Sequence, residues 1–152
     1  MRRISLFIAT FFLILVTVTT IGRAQQVIGD LYTRDGAAIK FGPVQDSVLV
    51  KTSTVENLTS LSPDYILINQ NKDTLIITDN NRKILYSTNK SINSINPGEA
   101  LRIISTSVLS ELLLNGGIAG YVSFEIRGNN ILTITKGEET LEGVQWCPPI
   151  CP

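Results

Sequence analysis

Between residues 65 and 87 the chain alternates three short apolar runs with two polar turns, and this segment limits the possible folds more than any other. The runs are Tyr65-Ile66-Leu67-Ile68-Asn69, Thr74-Leu75-Ile76-Ile77-Thr78 and Lys83-Ile84-Leu85-Tyr86-Ser87. Between them stand Gln70-Asn71-Lys72-Asp73 and Asp79-Asn80-Asn81-Arg82. Runs this short are too brief for helices, and Asn/Asp-rich breaks are turn chemistry, so the spacing predicts an antiparallel meander. The runs are apolar on both faces, which predicts a sheet covered on one face and partly on the other.

A hairpin is expected near the C-terminus. In Tyr121 through Arg127, Val122, Phe124 and Ile126 point one way while Ser123, Glu125 and Arg127 point the other. Gly128-Asn129-Asn130 makes the turn, and residues 131–136 pair back with Leu132 and Ile134 on one face. The pattern predicts one dry and one wet side. Between meander and hairpin, Asn96-Pro97-Gly98-Glu99 reads as a helix start: an N-cap, a proline at the first helical position and an acid three residues after the cap. Leu101, Ile104, Val108 and Leu112, joined by Leu109 and Leu113, follow at helical spacing until Gly116-Gly117. Upstream, strands are expected at residues 27–32, 37–41 and 47–52, with Asp35-Gly36 as a turn. Residues 53–64 read as a loop or one helical turn. No internal repeat is evident. The fold expected is α+β: an antiparallel sheet, meander plus C-terminal hairpin, covered by one amphipathic helix.

The first two dozen residues have the order of an export signal. Arg2 and Arg3 precede an apolar run, and Gly22 and Ala24 stand where a signal peptidase needs small side chains for a cut before Gln25. Residues 1–24 are therefore expected to be a signal peptide, 25–143 a single α+β domain and 144–152 a Cys/Pro-rich tail. The protein is expected to be secreted or periplasmic. The alternative is a membrane anchor formed by residues 4–22, since about 20 apolar residues span a bilayer.

Charge and composition narrow the chemistry. Losing Arg2, Arg3 and Arg23 takes Lys+Arg from 13 to 10 against 13 Asp+Glu, a mature net charge of −3. No basic cluster remains to neutralise phosphates, so nucleic acid is not an expected partner. The chain has no histidine. That removes Ser-His-Asp and Cys-His nucleophilic sites and the commonest transition-metal ligand. No catalytic residues, metal or cofactor are expected.

The tail reads Gln145-Trp146-Cys147-Pro148-Pro149-Ile150-Cys151-Pro152 and holds both cysteines and the one tryptophan. In an oxidising compartment Cys147 and Cys151 are expected to pair. Trp146, Pro148, Pro149 and Ile150 are the candidate binding residues, presented by that small ring. A loose stapled terminus, an intermolecular disulfide and a redox pair are the other readings. Together these features predict a small exported, non-catalytic module that binds a protein or a cell-envelope component. The alternatives are a histidine-free hydrolase using carboxylates and a structural or assembly subunit of the envelope.

Overall fold

The computed structural model of the chain describes residues 26–142 and 145–147. The expected signal peptide, residues 1–24, lies outside the described residues, as do Pro148, Pro149, Ile150 and Cys151.

Among the described residues the fold is α+β, with two antiparallel five-stranded sheets and three helices where one sheet covered by one helix was expected. Strand β1 (Asp30–Thr33) leads directly into helix α1 (Arg34–Phe41). Strand β2 (Val44–Lys51) leads into α2 (Thr52–Leu61), followed by β3 (Tyr65–Asn71), β4 (Thr74–Thr78) and β5 (Ile84–Ser87). Strand β6 (Leu101–Ser105) runs into α3 (Thr106–Asn115), then β7 (Tyr121–Arg127), β8 (Ile131–Lys136) and β9 (Glu139–Glu142). Strand β10 (Gln145–Cys147) comes last. The first sheet has the order β1-β9-β8-β7-β2 and the second β10-β6-β3-β4-β5.

The expected meander is β3-β4-β5, and the expected hairpin is β7-β8 closed by a 3-10 turn at Gly128–Asn130. Three other expectations are corrected. Residues 37–41 form helix rather than strand, because the Thr33 hydroxyl caps α1 by accepting from the Gly36 amide. Gly42, at φ 81°, then ends that helix. Residues 53–64 hold the three-turn helix α2, whose Ser/Thr-rich exposed face hides the buried pair Val55 and Leu58. Leu101 and Ile104 belong to β6, not to the helix. That strand is buried along its whole length, so it shows no alternation, and it joins α3 without a loop. Asn96 closes a turn, its side chain accepting from the Gly98 amide and its carbonyl from the Glu99 amide.

The chain also contains a repeat that its residues conceal. Residues 44–87 and 101–142 are each a strand, a helix and three further strands. Each unit gives its first strand to the other: β2 pairs with β7, and β6 pairs with β3. The registers correspond. Tyr121 lies opposite Lys51 and Tyr65 opposite Ser105, each partner being the last residue before a helix. Thr52 and Thr106 then open their helices and donate backbone N–H groups to Gly120 and Asp64. In the hairpins, Glu125 opposite Thr133 matches Asn69 opposite Ile76, and Arg127 opposite Ile131 matches Asn71 opposite Thr74.

One core cluster draws Phe124 and Ile134 from the first sheet, Ile66 and Ile68 from the second, and Leu58 and Leu112 from α2 and α3. A smaller cluster, with Ile28, Tyr65, Leu67 and Leu101, lies on the other face of the second sheet, where Ile95 covers it. The two units therefore share their main core and differ in what lies over their outer faces.

Candidate functional site

The outer face of the first sheet is filled from within. Glu125 and Arg127 form an ion pair at 2.7 Å with side chains only 5% and 3% exposed. The remaining bonding capacity is used locally. The Arg127 Nε donates to the Thr133 hydroxyl and its Nη1 to the Gly42 carbonyl, while the Thr135 hydroxyl donates to the Glu125 carboxylate. Helix α1 lies over this face, with Ala37 and Phe41 buried and Phe41 set edge-on to Tyr32. The expectation of a wet face for Glu125 and Arg127 is thus corrected: α1 covers them, and the buried pair is supported by further hydrogen bonds from Arg127 to Thr133 and Gly42 and from Thr135 to Glu125. At the opposite end, the Lys136 ammonium donates to the Leu113 and Gly117 carbonyls at the end of α3. There Gly116 packs so closely that a Cβ would stand 2.5 Å from the Lys136 carbonyl oxygen.

The matching place on the second sheet is open. Asn69, Asn71 and Ile76 occupy the positions of Glu125, Arg127 and Thr133. They line a pocket of about 280 Å³. The irregular segment 88–100 completes it with Ile92, Ser94, Ile95 and Glu99. The Asn69 amide donates to the Glu99 carboxylate, which orients that acid at the pocket. Arg82 donates to the Glu99 backbone carbonyl and fixes the segment from the side.

A second pocket of about 270 Å³ shares Asn69, Asn71 and Glu99 and continues over the ends of β3 and β6 to Arg102 and Asn130. Arg102 is nearly buried and donates to both the carbonyl and the side chain of Asn130. Its burial lowers the guanidinium pKa from the ordinary value. Gln70 also lines this pocket and is 6% exposed. Its Nε2 donates to the Phe124 carbonyl, which fixes the amide, and its buried Oε1 has no hydrogen-bond partner among the described residues. A buried acceptor in that state carries a desolvation cost of about 1–3 kcal/mol unless a donor reaches it.

A third, more apolar depression lies between α2 and α3, lined by Glu56, Thr59, Ser110, Leu113 and Leu114. Each of these three pockets carries one carboxylate. Among the described residues, no group of three or more His, Cys, Asp or Glu side chains is arranged to hold a metal ion. No helix among them is long and apolar enough to cross a membrane.

The expected site residues meet this structure only at their start. Trp146 and Cys147 lie on β10, and the register sets Trp146 opposite Arg102 and Cys147 opposite Leu101. Pro148, Pro149, Ile150 and Cys151 lie outside the described residues, and with them the expected Cys147–Cys151 pair. Strand β10 thus runs along β6 beside Arg102, a lining residue of the polar groove. Sequence reading missed the groove itself. Gln70 and Asn71 look like turn residues, and Glu99 looks like part of a helix cap. The available signal was the unbroken run Asn69-Gln70-Asn71 at the end of an otherwise apolar strand. No protein-family model, no curated protein and no solved structure matches this chain.

Proposed function

We propose that this protein is a small exported binding module that takes a polar group of another exported or envelope protein into the groove at the ends of β3 and β6. The observation carrying this reading is the buried Gln70 Oε1, held in place beside a polar groove and without a partner among the described residues. Binding sites combine a concave surface with a few fixed polar groups that orient the ligand. Here those groups are Gln70, the Asn69–Glu99 pair and Asn71. Strand β10, which carries Trp146 and Cys147, pairs with β6 next to this groove, and the Cys/Pro-rich tail with its proposed Cys147–Cys151 disulfide is a further candidate contact element.

One feature supports export. The cut expected before Gln25 falls just ahead of described backbone that is anchored, since the Gln26 carbonyl accepts from the Tyr65 hydroxyl and Ile28 bonds to Ser105. The resulting acidic net charge suits a basic partner. A carboxylate hydrolase is less well supported. It needs two acids flanking one substrate, and the carboxylate nearest to the groove's Glu99 in role, Glu125, is sealed in an ion pair.

The test uses immobilised mature protein, residues 25–152, exposed to native envelope extract and culture medium. A Gln70→Met, Glu99→Gln double variant and a truncation after Cys147 serve as comparisons. The reading predicts a component retained by the unaltered protein and lost with the double variant. Retention unchanged by the double variant overturns it.

A further inference from the structure

The internal repeat identifies what the open pocket lacks. On the first sheet, the position between the two hairpin strands holds a guanidinium, reached by Glu125 from the neighbouring position, by Thr133 from across the hairpin and by the Gly42 carbonyl from the covering segment. On the second sheet the backbone positions are the same, but Asn71 stands in place of Arg127, and its side chain is too short to extend over the face. A carboxylate is still supplied. It comes from the covering segment as Glu99, held by Asn69 at the position of Glu125. Among the described residues, this place on the second sheet therefore keeps the anion and has no cation in the lining of the pocket.

The geometry points to the pocket of Asn69, Asn71, Ile76, Ile92, Ile95 and Glu99 as a receptor for a basic side chain, above all an arginine, presented by a partner protein. This inference rests on the binding reading above and names its ligand. Three observations carry it. The pocket, at about 280 Å³, has room for one long side chain. Ile76, Ile92 and Ile95 offer apolar surface for an aliphatic stem, while Glu99, Asn69 and Asn71 stand where the charged head would be. The side-chain bond described for the Glu99 carboxylate comes from a neutral amide, that of Asn69. Arg82 contributes positive charge nearby through its bond to the Glu99 carbonyl, but it is not a lining residue. A planar guanidinium can bridge a carboxylate and neighbouring amides with several donors at once, which a point ammonium does less well.

The experiment titrates the full mature chain, residues 25–152, with N-acetyl-arginine amide and with N-acetyl-citrulline amide, following backbone amide NMR shifts. The citrulline probe has nearly the same shape and no charge. The expected result is a set of shifts centred on Asn69, Asn71, Thr74 and Glu99, with the arginine probe binding about tenfold or more tightly than the citrulline probe. Glu99→Gln should erase that preference. Asn71→Arg, which supplies the guanidinium from within as the first sheet does, should weaken the arginine probe by about tenfold or more while leaving the spectrum dispersed. Equal binding of the two probes, shifts centred elsewhere, or unchanged binding in Asn71→Arg overturns the inference. If the arginine probe leaves these amides unmoved while envelope capture still depends on Gln70 and Glu99, the ligand assignment falls and the binding reading stands. If capture is also independent of them, both fall.

Discussion

The outer faces of the two sheets share a backbone plan and differ in how their polar groups are satisfied. On the first sheet, Glu125, Arg127, Thr133 and Thr135 complete one another beneath α1. On the second, Asn69 and Glu99 pair at an open pocket, and beside it on the inner face the buried Gln70 Oε1 has no donor among the described residues. Closing the network in one half ties α1 to the sheet through the Gly42 carbonyl and leaves nothing there for a ligand. Leaving it incomplete in the other half contributes less to stability and more to recognition. The difference turns on a few side chains, Arg127 against Asn71 above all, and on whether a helix or an irregular segment covers the sheet.

The contrast can be broken most forcefully at Arg127. Arg127→Ala leaves Glu125 buried without its cation and should cost about 3–5 kcal/mol. Asn71→Ala, at the exposed equivalent, should stay within about 0.5 kcal/mol. Urea unfolding of both variants measures this, and similar costs would mean that the two faces do not differ as described. Next in size are Leu58→Ala in α2 and Leu112→Ala in α3. Each should cost about 2–5 kcal/mol, because both side chains are almost wholly buried in the shared core. A large disparity between them would argue against equivalent roles for the two helices. Thr33→Ala removes the cap of α1 and should cost about 1 kcal/mol. Hydrogen exchange should then quicken in α1 and leave the segment over the second sheet unchanged. Gln70→Met should be the mildest, within about 1 kcal/mol in thermal unfolding, because it loses the bond to Phe124 but also removes the unpartnered acceptor.

The legible parts of the fold were those bounded by strong turn chemistry. Asn, Asp and Gly between apolar runs set both hairpins, and Gly116-Gly117 marked the end of α3. The misread parts are places where one element passes into the next without a turn. Ser105 ends β6 and precedes Thr106 of α3, so apolar residues from a strand and a helix merged into one helical spacing. The repeat was hidden for a related reason. Its halves agree in register and in buried positions, such as Val55 with Leu109 and Leu58 with Leu112, while their exposed residues differ freely. The pocket depends on a contact between Asn69 and Glu99, thirty residues apart, which no local pattern records. The tail attracted notice for its cysteines and Trp146, yet its described part acts first as a strand closing one edge of the second sheet.

The central claim is that the pocket on the second sheet is the place of a missing guanidinium. A double-mutant cycle of Asn71→Arg and Glu99→Gln, read by unfolding free energy, tests it most directly. Introduced alone, Asn71→Arg should stabilise the protein through Glu99, and the two substitutions should couple by about 0.5 kcal/mol or more, the range for residues in contact. Additive effects, with Asn71→Arg equally tolerated whether position 99 is acidic or neutral, would contradict the account.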